Sequence, residues 1–178
     1  MRESKRYIKW VICSIMIACA TLLGACDIIE DELPTYDETS IVNVGDQAPE
    51  FYIESLDGEM LQMPNGEQTL LILFSHTCPD CKNLMTDLQQ YLSANTVRHN
   101  IMAISRGGAP SEIEAFRDEH GLKFAIAADE TADIYYKYAT MYVPRCYAID
   151  SNGTIRHITY EYSKGDIELL IAQLDKLD

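Results

Sequence analysis

The residues best suited to chemistry are two cysteines separated by a proline and an aspartate, Cys78-Pro79-Asp80-Cys81. They follow residues 69–75 (TLLILFS), a continuous apolar run of the kind a strand buried on both faces requires. Beyond them, over residues 79–94, apolar side chains recur at Leu84, Leu88, Tyr91 and Leu92, the spacing of a one-faced helix. Cys78 therefore falls where a strand ends and a helix begins. Unpaired N–H groups and the helix dipole at such a place favour an anion, and the thiolate is the form that attacks disulfides. Cys81, one turn later, is positioned to resolve a mixed disulfide. Pro79 suits the first helical turn, where its missing N–H loses nothing. A zinc site would need a second CxxC or a His pair at ligand spacing, and the sequence has neither.

The elements that must hold this dithiol read as an alternating pattern. Residues 48–63 form two short strands about Leu56-Asp57-Gly58, since Asp-Gly is a hairpin signal. After the dithiol helix comes a buried strand at 99–105. A helix opened by a capping box of Ser111 with Glu114, behind Pro110, then runs to Gly121. A short strand is expected at 124–127 and a short helix at 131–138. Strands at 145–150 and 154–160 join at Ser151-Asn152-Gly153, and a closing helix spans 167–177. The alternation demands parallel pairing in the middle and the last hairpin demands antiparallel pairing, so the sheet is mixed. The expected fold is α/β, a thioredoxin-like three-layer sandwich with a mixed central sheet, an N-terminal β-hairpin and an inserted αβ unit.

Several stretches together resemble one family. Val44-Gly45-Asp46-Gln47-Ala48-Pro49-Glu50-Phe51, the Leu56-Asp57-Gly58 turn, the CxxC, Glu119-His120-Gly121-Leu122-Lys123-Phe124, and Val143-Pro144 ahead of Ala148-Ile149-Asp150-Ser151-Asn152-Gly153 occur in the order of TlpA-type thiol-disulfide oxidoreductases. These are thioredoxin-like proteins related to the AhpC/TSA redoxins. The resemblance spans roughly residues 44–177. It implies a protein-disulfide reductase that uses Cys78 and Cys81 as its redox disulfide and needs no cofactor. It also implies that Pro144 is a cis-proline beside the dithiol, with the Val143 backbone pairing with the substrate chain. Three positions depart from relatives of this kind: Thr77 replaces a common Trp, Ile72 a buried Asp, and Leu84 a Glu found in some membrane-tethered members. His76 and Asp80 are the remaining candidates to take the Cys81 proton. Asp80 should also repel a thiolate at Cys78 and make the pair more reducing.

Two rival chemistries are weighed against this one. The segment Phe74-Ser75-His76-Thr77-Cys78-Pro79-Asp80-Cys81 is similar to Sco-type copper proteins, and thiolate and thioether sulfurs suit Cu(I). Those proteins space their cysteines one residue wider and supply a His before the last hairpin, where this chain offers only Met141 and Cys146 as sulfur. Peroxiredoxins resemble the fold too. Here, however, Leu71 stands where their motif has proline, and Arg145 is one position from where their activating Arg would fall, so it should face away. Cys146, two residues after Pro144, should point to the same sheet face as that proline and serve as a buried thiol.

The chain has 178 residues, and its N-terminal part reads as an address. Arg2, Lys5, Arg6 and Lys9 precede 16 uncharged residues, 10–25, and then Cys26. That is the pattern of a secretory signal, too short for a span of about 20 residues. Leu23-Gly24-Ala25-Cys26 resembles a bacterial lipobox, which implies cleavage of residues 1–25 and lipid attachment at Cys26. Residues 26–44, with six acids and no base after Cys26, are expected to be a solvated tether, and 45–178 the domain. The formal charge is −14, and removing the leader leaves 10 bases against 27 acids, which excludes a nucleic-acid partner. Only Cys78, Cys81 and Cys146 remain in the domain, too few for a disulfide framework. The expected setting is an exported domain facing the periplasm, lipid-anchored to a bacterial membrane. Its partners would be protein disulfides and, because that compartment is oxidising, a membrane electron donor of the DsbD/CcdA kind.

Overall fold

The computed structural model describes residues 33–177, so the leader and Cys26 lie outside the described residues. Seven strands and four helices are present among these residues: β1 (Phe51–Glu54), β2 (Met60–Met63), β3 (Thr69–Phe74), α1 (Pro79–Ala94), β4 (Asn100–Arg106), α2 (Pro110–Glu119), β5 (Ala125–Asp129), α3 (Tyr135–Tyr138), β6 (Arg145–Ile149), β7 (Ile155–Tyr160) and α4 (Asp166–Asp175). The central sheet has the order β5-β4-β3-β6-β7. β3 runs parallel to β4 and antiparallel to β6, so the sheet is mixed as its connections demand. The hairpin β1-β2 forms a separate two-stranded sheet.

The apolar run of β3 is central because every one of its residues is buried. Strand alternation divides them between two cores. Leu70, Ile72 and Phe74 pack with Leu84, Met85 and Leu88 of α1, Ile113 and Phe116 of α2, and Leu170 and Leu174 of α4. Leu71 and Leu73 face Phe51, Leu61, Met63, Tyr135 and Tyr138, contributed by the hairpin and α3. Helices on one side and a hairpin plus short helix on the other make the three layers expected.

Three local expectations are corrected. The helix at 110 is not capped by Ser111 and Glu114. Pro110 occupies its first turn, and the Glu112 side chain reaches back to accept from Ala109 N at 2.8 Å, leaving Glu114 to pair with Arg117. The helix expected from 131 begins at Tyr135, because the buried Asp129 carboxylate accepts from the N–H groups of Asp133, Ile134 and Tyr135 and holds the preceding residues in a turn. Third, the tether expected to run to residue 44 stops short, since the compact unit begins at Pro34. Asp37 and Glu38 are solvated, but Thr39 and Val42 are buried and Ser40 bridges Ala139. Ile41 and Val44 stay exposed, so only part of this stretch packs.

Candidate active site

Cys78 is the N-cap residue of α1. Its backbone is extended, its N–H donates to Ser75 O at 3.1 Å, and its sulfur accepts from Cys81 N at 3.4 Å. The thiol thus occupies the place that a Ser or Asp oxygen usually takes at a helix start, among donors with no partner inside the helix. Pro79 fills the first turn. Asp80, next to it, is exposed. On its other side the Cys78 thiol donates to Val143 O at 3.6 Å. The Val143–Pro144 bond is cis, and Pro144 is buried. Residues from the start of α1 and from the loop entering β6, 65 positions apart, therefore meet at one half-buried sulfur.

Cys81 is fully buried behind Cys78 and accepts a hydrogen bond from Ser75 N at 3.5 Å. Ile72 and Leu84, where some relatives carry acids, belong with Cys81 and Cys146 to the same apolar cluster. Burial pushes the Cys81 thiol well above the ordinary range, opposed by the Ser75 N–H and reinforced by neighbouring Cys78. Burial likewise raises Cys146, which opposes Ile72 across the β3–β6 ladder and shares the core face with the dithiol helix. All three cysteines are free thiols. At neutral pH iodoacetamide should modify Cys78 and spare Cys81 and Cys146 in the folded protein. Peptide mapping that found all three labelled at similar rates would contradict this burial.

The same shifts set the response to alkali. Burial raises Tyr138 and Tyr147 as well as the two thiols, so the fold favours their neutral forms. Stability from these groups is complete below their unfolded values, near 8.5 for thiols and 10 for phenols, and is lost as pH rises through the folded ones. Urea midpoints should hold steady between about pH 6 and 8, fall above about 8.5, and fall more steeply above about 10. A midpoint unchanged at pH 10.5 would refute it.

Among the described residues the hydrogen bonds of the Cys78 and Cys81 sulfurs are with Ser75, Val143 and the Cys81 N–H, and none involves His76. It packs at Gly108, where an added Cβ would stand 2.9 Å from the imidazole, and its buried Nδ1 has no hydrogen-bond partner. Among the described residues no cluster of three or more His, Cys, Asp and Glu side chains is arranged to hold a metal ion. Arg145 faces the sheet side opposite Cys146, and its guanidinium is taken up by Met141 O, Tyr36 O, Thr39 Oγ1 and Ser40 Oγ. Sequence reasoning missed one feature of this kind: the loop before Pro144 is held from below. Tyr135 Oη donates to Tyr142 O at 2.7 Å, and Arg145 donates to Met141 O from both Nε and Nη2. The only sequence signal was the density of tyrosines around residues 135–147, which reads equally as core filling.

The profile of the AhpC/TSA family matches residues 44–158. Thiol-disulfide oxidoreductase ResA of Oceanobacillus iheyensis is 29% identical over 129 residues, covering 68% of this chain and 67% of that protein. Thioredoxin-like protein YneN of Bacillus subtilis is 28% identical over 130 residues, covering 70% and 76%. Among solved structures, a Bacteroides thetaiotaomicron protein described as a candidate protein disulfide isomerase superposes with a TM-score of 0.71 at 25% identity, covering 78% of this chain and 92% of that one. Among the described residues no helix is long and apolar enough to cross a membrane.

Proposed function

We propose that this chain, which belongs to the AhpC/TSA family, is a thiol-disulfide oxidoreductase that reduces protein disulfides through Cys78 and Cys81. The observation that carries the reading is a thiol at a helix N-cap held against the carbonyl of Val143, beside Pro144. Ionisation of Cys78 removes the proton that it donates to Val143 O, so the carbonyl is released as the nucleophile forms. A substrate strand can then pair with the Val143 backbone while its disulfide meets the sulfur.

The Cys78 thiolate attacks one substrate sulfur, forming a mixed disulfide and expelling the other as a thiolate. That leaving thiolate is a base and takes the Cys81 proton. The Ser75 N–H stabilises the charge left on Cys81. Cys81 then attacks Cys78 Sγ, forming the intramolecular disulfide and releasing the second substrate thiolate, which takes a proton from water. The substrate gains two electrons and two protons. The protein is left oxidised, and a membrane dithiol donor of the DsbD/CcdA kind restores it.

The expected leader at 1–25 and lipid-bearing Cys26 fit this cycle. They would place the domain outside the cytoplasm, facing the periplasm and held near a membrane donor. On this reading residues 27–33, with four acids, would separate the lipid-bearing Cys26 from the folded unit along the chain.

The test puts three reagents against one sample: a protein disulfide with a chemical reductant, Cu(I) with a competing chelator, and hydrogen peroxide. Catalysed disulfide reduction, with Cu(I) held no more tightly than by a simple dithiol and peroxide consumed slowly, is the expected result. One-to-one Cu(I) that protects Cys78, Cys81 and Cys146 from alkylation, with sluggish disulfide exchange, would overturn the reading in favour of a copper carrier. Rapid peroxide turnover would favour a peroxidase.

A further inference from the structure

Arg145 is fully buried, yet no carboxylate pairs with it among the described residues. A guanidinium cannot shed its proton to escape burial, so its charge must be met by oriented oxygens. Five hydrogen bonds do this. Two go to Met141 O, from Nε at 3.2 Å and Nη2 at 2.9 Å. Three go to the N-terminal arm: Nη1 to Ser40 Oγ at 2.7 Å, and Nη2 to Thr39 Oγ1 at 2.6 Å and Tyr36 O at 3.3 Å. The rings of Tyr160 and Tyr36 lie 5.0 and 5.8 Å from the guanidinium carbon.

The arm grips the same loop directly. Tyr142 Oη donates to Pro34 O at 2.8 Å, Thr140 N to Thr39 O at 2.8 Å, and Ile41 N to Tyr138 O at 2.9 Å, while the Tyr36 and Tyr142 rings approach to 4.7 Å. Every one of these bonds lands on residues 138–145, the stretch that contains Val143 and Pro144.

We infer that residues 34–42 and Arg145 form a single positioning device for the substrate loop, in which the buried guanidinium joins the arm to the Met141 carbonyl and so fixes where Val143 meets Cys78 and an incoming strand. The inference rests on the disulfide-reductase reading of the site. Arg145 and the arm touch neither reacting sulfur nor substrate. They act through the backbone of residues 141–143.

The test uses the full chain in mild detergent with Thr39→Val and Ser40→Ala together, which removes two of the four acceptors, and with them two of the five bonds, at positions remote from the sulfurs. Two substrates are compared: an extended peptide disulfide that docks as a strand, and a small aromatic disulfide that needs only the thiolate. Hydrogen exchange at the amides of residues 140–143 is read in parallel. The expected result is a rise in KM for the peptide that lowers kcat/KM about tenfold, the scale of one or two net hydrogen bonds. The small disulfide should react within about twofold of the unaltered rate, and the loop amides should exchange faster. Equal loss on both substrates, or no loss on either, overturns the inference. If the doubly altered chain does not fold, Ser40→Ala alone gives the same comparison with a smaller shift. An unaltered chain inert to both disulfides would sink the reductase reading instead. Loop exchange would then decide the positioning claim, which unchanged protection would refute.

Discussion

Cys78→Ser is expected to lower protein-disulfide reduction by at least about three orders of magnitude, the scale on which losing a reacting nucleophile is felt. Cys81→Ser is expected to leave the first attack intact and stall after it. The difference follows from position. Cys78 is half-exposed at the N-cap of α1 and touches Val143 O, whereas Cys81 is fully buried one turn behind it. Only the outer sulfur can meet a bulky partner, and only the inner one can release it. Intact mass should therefore show the Cys81→Ser protein carrying one substrate chain, with the linkage mapping to Cys78. A linkage at Cys146, or substantial turnover by Cys78→Ser, would contradict this division of roles.

Phe74→Ala should be the most damaging of the apolar substitutions near the site. The ring is fully buried and stacks on Phe116 with centroids 5.5 Å apart. Truncating such a ring costs about 3–5 kcal/mol from lost transfer energy and the cavity left behind. Set against a total stability of roughly 5–15 kcal/mol, that is a large share. For a domain of this size the melting temperature should fall by roughly 10–15 °C. Chemistry should feel it too, because the next residue, Ser75, accepts from Cys78 N and donates to Cys81 Sγ. Alkylation of Cys81 should accelerate in this variant below its melting point. A shift of less than about 3 °C would show that the core closes over the missing ring.

How far the sequence could be read depended on whether an element's cause was local. Helix α1 spans Pro79–Ala94 as expected, since proline in its first turn and the leucine spacing are both written within sixteen residues. The hairpin, the mixed sheet and the placement of Cys146 on the sheet face toward the dithiol helix also follow from short-range patterns. The helix before β6 was overextended because the carboxylate that organises its approach belongs to Asp129, at the end of a strand. The capping expected at Ser111 failed by a small shift, since Glu112 rather than Glu114 faces back along the chain. The arm was hidden most completely. Its composition is acidic, and what makes Thr39 and Ser40 useful is a buried guanidinium more than a hundred positions away. No periodicity records a partner at that distance. Arg145 was equally opaque, because a lone basic residue at a strand start gives no sign that it will be buried.

The central claim is that Cys78 and Cys81 form a reducing couple, and its reduction potential is the measurement that tests it most directly. The full chain would be equilibrated with dithiothreitol buffers over a range of poise, quenched with an alkylating reagent and read by mass. A single Cys78–Cys81 disulfide at or below about −230 mV is the result predicted here, close to the thioredoxin range and consistent with Asp80 beside the nucleophile. A potential near about −120 mV would make the protein an oxidant. No disulfide between these two sulfurs at any poise would mean the pair is not a redox couple at all.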